Sequence, residues 1–139
     1  TAISATEWLV AVGKAKQQKS ISIAVPDPGA ADADITAGYV LWSPPVNVTI
    51  TATKHIPQAA WIAAAAANDG EVKITNAAVG TLATLSVVTA LATGSKNDMG
   101  TITNAAVVAG TNVTLTLTAS GTANAPASVL QLEYIETNE

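Results

Sequence analysis

Apolar and polar side chains alternate along most of this chain with a period of two. The alternation runs without a miss from Val46 to Thr53, with Val46, Val48, Ile50 and Ala52 toward one side and Asn47, Thr49, Thr51 and Thr53 toward the other. That is the repeat of a strand with one face in a core and one in water. Pro44, Pro45 and Pro57 bracket it, and because proline cannot donate to a ladder they set where pairing starts and stops. The same pattern predicts strands over Ser20–Val25, closed by the turn residues Pro26-Asp27-Pro28-Gly29, and over Gly38–Trp42, Gln58–Ala63, Glu71–Thr75, Thr81–Leu91 and Met99–Thr103. Two more follow: Thr111–Thr118, with Val113, Leu115 and Leu117 inward, and Ser128–Ile135, with Leu130, Leu132 and Tyr134 on one face.

The run of alanines from Ala63 to Ala67 favours helix by propensity. It carries no larger apolar residues at helical spacing, however, and reads as the end of a strand passing into a loop that Asn68-Asp69-Gly70 terminates. Gly94–Asp98 reads as an exposed turn, the most polar point of the domain. Strands recurring about every ten residues with turn signals between them predict an all-β fold, an antiparallel two-sheet sandwich of jelly-roll type. A parallel α/β fold is excluded, because no amphipathic helices alternate with the strands. A short echo, Ile74-Thr75-Asn76-Ala77-Ala78-Val79-Gly80-Thr81 against Ile102-Thr103-Asn104-Ala105-Ala106-Val107-Val108-Ala109-Gly110-Thr111, is either a chance match in a chain this rich in Thr and Ala or the mark of two similar strand–loop–strand corners on one edge of the sandwich.

Residues 1–19 differ from the rest and are read as an N-terminal arm preceding a sandwich domain over 20–139. Ser4 and Glu7 have capping-box spacing, which allows a short helix. Trp8-Leu9-Val10-Ala11-Val12 equally allows an edge strand, or an arm ordered only on contact with a partner. Three of the six lysines lie here, Lys14, Lys16 and Lys19, so this segment can seek an acidic neighbour.

Composition narrows the chemistry. The chain has 139 residues, enough for one domain with its own core, and that core is built from Ala, Val, Leu and Ile without a single Phe. Cysteine is absent and His55 is the only histidine, so disulfides, thiolate sites and zinc sites are not expected. Asp27, Asp32 and Asp34 lack the glycine and terminal glutamate of a calcium loop. No metal or other cofactor is implied. His55 has no nucleophile elbow to serve and reads as a surface residue at a strand end, and the acids are scattered through loops rather than paired as in a glycosidase. Catalytic residues are therefore not assigned.

The net charge of −4 argues against a nucleic-acid partner, and no apolar run is long enough to span a membrane. The start, Thr1-Ala2-Ile3-Ser4, lacks the charged region and apolar run of a secretory signal, so either a signal has been removed or the protein is expected to fold in the cytoplasm where it was made. Thr1, the kind of residue left when an initiator methionine is trimmed, favours the second. Only 12% of residues are charged, so a large share of the surface is uncharged and can be buried against a partner at little desolvation cost. Trp8, Trp42 and Trp61 could stack on sugars, but in a chain without Phe, Trp42 and Trp61 are expected in a core or an interface.

The block from Ala37 to Tyr134 resembles a family of small virion proteins of tailed bacteriophages, of the capsid decoration, cement or head-fibre type. The similarity rests on Tyr39-Val40-Leu41-Trp42-Ser43-Pro44-Pro45, on Val48-Thr49-Ile50-Thr51 leading to Ile56-Pro57-Gln58-Ala59-Ala60, and on the closing Leu130-Gln131-Leu132-Glu133-Tyr134. It implies a non-enzymatic β-sandwich on the capsid surface of the virion, made in the host cytoplasm, that forms a homo-oligomer, a trimer, and bridges major capsid protein subunits. The arm lies outside the resemblance. Its residues Glu7, Trp8, Leu9, Val10, Lys14, Lys16 and Lys19 are the candidates for facing the shell. The alternative from a different class is a carbohydrate-binding or adhesin module of a phage fibre or cell surface, with Trp8 or Trp61 as the stacking platform.

Overall fold

A computed structural model describes residues 17–29, 35–61, 69–120 and 125–137. Among these residues nine strands are formed: β1 (Gln18–Val25), β2 (Ile35–Trp42), β3 (Val48–Pro57), β4 (Gly70–Asn76), β5 (Gly80–Val87), β6 (Asn97–Asp98), β7 (Ala106–Val107), β8 (Val113–Ala119) and β9 (Ser128–Glu136). They make two antiparallel sheets. One runs β1-β9-β3-β6 with β7 also on β3, and the other runs β2-β8-β4-β5. The expected two-sheet β-sandwich is what the chain adopts, with no helix among the described residues.

The alternating sequence makes the core. Val113, Leu115 and Leu117 of β8, Val72 and Ile74 of β4, and Leu130 and Leu132 of β9 are all fully buried, each side chain stabilising the fold by about 1.5–3 kcal/mol. Their neighbours in sequence face out: Thr114, Thr116 and Thr118 of β8 lie level with Thr75, Lys73 and Glu71 of β4, and Lys73 pairs with Glu71 at 3.1 Å.

Three expected strands differ from the outcome. Met99–Thr103 forms no strand; it passes from β3, where the Met99 amide donates to the Thr53 carbonyl at 3.0 Å, to β5, where the Thr103 amide donates to the Leu82 carbonyl at 2.9 Å. The Thr81–Leu91 strand ends at Val87. From 58 to 61 only a single bridge forms, between Trp61 and Leu91, and the rest of the expected Gln58–Ala63 strand lies outside the described residues. Of the 1–19 arm only 17–19 are described, and Gln18 and Lys19 belong to β1.

The largest departure is inside β3. Its pairing with β9 shifts between Ile50 and Ala52, so Thr51 is an extra residue in the ladder. A bulge of this kind reverses which side chains face the core from that point on. Val48 and Ile50 point inward as the alternation predicts, but beyond Thr51 it is Thr53, His55 and Pro57 that are buried, while Ala52, Lys54 and Ile56 turn outward. His55 is therefore not the surface residue expected from its position: none of it is exposed.

Candidate interaction surface

β3 runs from one end of the sandwich to the other, and the two ends are chemically unlike. Val48 marks one end, opposite Val107 and Glu136. Three segments gather there, residues 43–47, 76–80 and 104–112, and none of them contains a charged side chain. Asn76 ties them together. It is 1% exposed, and its side-chain amide donates to the carbonyls of Asn104 at 3.1 Å and Ala106 at 3.0 Å, while its Oδ1 accepts the Ala78 amide at 3.2 Å.

Asn104, the counterpart of Asn76 in the sequence echo, donates in turn to the Thr81 carbonyl at 2.8 Å. Its φ of 50° is a left-handed value that asparagine accepts more readily than most residues. Asn47 Oδ1 accepts the Ala109 amide at 2.9 Å, and the Pro44 carbonyl accepts the Gly110 amide at 2.9 Å. The echo thus corresponds to two corners that touch. Several of the loops' polar groups are satisfied among themselves, and beside the exposed Ser43 and Asn112 the outward surface is apolar: Val79 is 58% and Val108 61% exposed, with Ala77, Ala78, Ala106 and Ala109 exposed around them.

β1 begins at this same end. Gln18 lies opposite Ile135, Ile135 lies opposite Thr49, and the Gln18 amide reaches past β9 to donate to Thr51 Oγ1 at 2.7 Å. β1 therefore starts beside the charge-free loops. Of the seven shell-facing candidates, Glu7, Trp8, Leu9, Val10, Lys14 and Lys16 lie outside the described residues. Lys19 is described, and its Nζ is 2.7 Å from Glu136 Oε1. That hydrogen bond raises the Lys19 pKa above its ordinary value and fastens β1 to β9, so Lys19 is already paired.

The opposite end, around His55, is closed by Trp61. Trp61 is fully buried, its ring 5.6 Å from the His55 ring in an edge-on arrangement, and the other side of the indole lies against Gly70, where an added Cβ would collide with Trp61 Cζ2. A glycine at the first residue of β4 is what lets the indole sit between the sheets. Trp42 is half-buried against Tyr134, ring centres 4.7 Å apart. Trp61 therefore has no face to offer a sugar, and both tryptophans lie in packing roles.

No pocket opens among the described residues, and no three His, Asp or Glu side chains among them converge as metal ligands would. Two features of the surface escaped the alternation pattern: the absence of charge from three separated loops, which is visible in sequence only once one knows they meet, and the Asn76–Asn104 pairing that the echo hinted at. Comparison with known proteins finds no matching family model, no matching curated protein and no matching solved structure.

Proposed function

We propose that this chain is a non-enzymatic structural protein of a tailed-phage virion: a capsid decoration or cement protein that forms a homo-oligomer, a trimer, on the shell exterior and bridges major capsid subunits. The observation that supports this reading best is positional. β1, the strand that follows the segment carrying Glu7 to Lys16 in sequence, begins at the end of the sandwich where three charge-free loops expose Val79 and Val108. A partner that covers this end desolvates few charges and buries apolar surface, the combination that favours stable association. A thin sandwich pinned at that end would tighten a shell by linking subunits that internal pressure separates.

The test is binding to undecorated capsids, with copy number per particle counted by cryo-electron microscopy. Saturable binding at a fixed number of copies is expected, and it should be lost when residues 1–16 are deleted, a truncation that leaves β1 whole. Undiminished binding by the truncated chain defeats the assignment of the arm. No uptake by any shell, together with a monomer in solution at all concentrations, defeats the proposal as a whole.

A further inference from the structure

The His55 end of the sandwich holds an unusual concentration of buried polar atoms. Thr53 Oγ1, both ring nitrogens of His55, Trp61 Nε1 and Ser128 Oγ are buried without a hydrogen-bond partner. Buried polar groups in folded proteins are nearly always paired, so a group of orphans in one place calls for a reason. They are also neighbours. Thr53 and His55 point inward two residues apart on β3, while Ser128 sits opposite Pro57, diagonally across from His55. Trp61 lies edge-on to the imidazole. The bulge at Thr51 put them there, by turning the polar side of β3 into the core.

Nothing charged stands ready to receive a second proton on the imidazole. On β3 itself Lys54 faces outward, level with Asp98 of β6 and Gln131 of β9. The inward residues of β9 here are Ser128, Leu130 and Leu132. From β6, Asn97 spends its side-chain amide on the His55 carbonyl at 3.2 Å and on Ser95, and the Asp98 carboxylate accepts the Gly100 amide at 2.7 Å. On the facing sheet Gly70 and Val72 point inward, Glu71 and Lys73 pair with each other outside, and the Asp69 carboxylate accepts the Ser120 hydroxyl at 2.5 Å. Burial alone accordingly pushes the His55 pKa down to about 4.

Among the described residues, the element facing the imidazole is held by fewer backbone hydrogen bonds than the strands beside it. Trp61 belongs to no strand; its backbone is tied by two hydrogen bonds to Leu91, at 2.9 and 3.0 Å. The strands flanking it are tied by full ladders.

We propose that this end of the sandwich is an acid-sensitive latch, in which protonation of His55 drives the Trp61 indole out from between the sheets while the two sheets themselves stay folded. A proton on the imidazole converts an uncompensated neutral ring into an uncompensated cation, and swinging out the indole is the smallest movement that brings water to it. Once open, this end exposes Gly70, which the indole covers, and the orphan polar groups.

The experiment reads Trp61 alone, in a chain carrying Trp8→Phe and Trp42→Phe. Lowering the pH from 7 to 4 should red-shift its fluorescence and raise acrylamide quenching several-fold, while the far-ultraviolet β-sheet signal persists. The additional change His55→Leu should remove the transition. If the transition survives His55→Leu, or coincides with loss of the sheet signal, the latch is overturned. Because His55→Leu could fail to fold, NMR titration of the unmodified chain gives an independent reading, and its single histidine makes the signal unambiguous. Titration displaced well below 6 in step with the Trp61 indole N–H supports the latch. Titration near the ordinary value, or with no change at Trp61, overturns it.

Discussion

The two ends of this sandwich solve opposite problems. At the Val48 end the buried polar side chain, Asn76, is satisfied by two carbonyls and one amide, and large apolar side chains stand outside, on Val79 and Val108. At the Pro57 end the apolar indole of Trp61 is buried, and the polar atoms around it are buried too and unpaired. An end whose hydrogen bonds close on themselves while it shows methyl groups to water is built to be covered by something else. An end that seals itself around orphan polar atoms is built to stay shut only while those atoms remain neutral.

Substitutions can break the contrast, and the largest effect is expected at the sealed end. Trp61→Ala should cost about 3–5 kcal/mol, as removal of a large fully buried side chain does, and urea unfolding monitored by circular dichroism measures it. Acid comes next. His55 has a folded-state pKa of about 4 against 6.5 for the free side chain, so the unfolded chain binds the extra proton first. Stability is full above about pH 6.5 and falls as the pH drops toward 4, by up to about 3 kcal/mol at ~1.4 kcal/mol per unit. Opening of the Trp61 end would make the loss shallower, because the imidazole then meets water. A stability curve flat between pH 7 and 4 would contradict the burial of His55.

Asn76→Ala should cost about 1–3 kcal/mol, since it strands the Asn104 and Ala106 carbonyls at the open end. Gly70→Ala should fall in a similar range, about 1–3 kcal/mol, by pressing a methyl group into the Trp61 ring, with a fluorescence change that Asn76→Ala does not produce. The smallest effect on stability should come from Val79→Ser with Val108→Ser, within about 0.5 kcal/mol, because both side chains are exposed. The same pair should weaken oligomer formation or capsid uptake several-fold, measured by ultracentrifugation and particle binding. If that pair destabilises the monomer more than it weakens assembly, the difference between the two ends has been misread.

How far the chain could be read in advance depended on whether a feature is local. The rows Val113-Leu115-Leu117 and Leu130-Leu132 were legible because a strand with one wet face must alternate, and each such row is buried as the pattern requires. Met99–Thr103 shows the same alternation and forms no strand, because it crosses from β3 to β5 with one backbone bond at each end, Met99 to Thr53 and Thr103 to Leu82, rather than lying along one partner in a ladder. The candidate docking residues divide in the same way: Lys19 reads as a free cation in sequence, and only the pairing of β1 with β9 reveals Glu136 beside it.

By itself the order of residues determined an all-β sandwich, the inward rows Val113-Leu115-Leu117 of β8 and Leu130-Leu132 of β9 and the proline limits of β3, since these follow from alternation and missing donors within a few neighbouring positions. Tertiary structure alone decided that the alternation in β3 slips at Thr51, because a bulge exists only relative to the partner strand β9 and costs one unpaired residue that β3 by itself does not specify. That slip carried Thr53 and His55 into the core beside Trp61, and strand pairing across the two sheets brought three uncharged loops and the start of β1 to a common end.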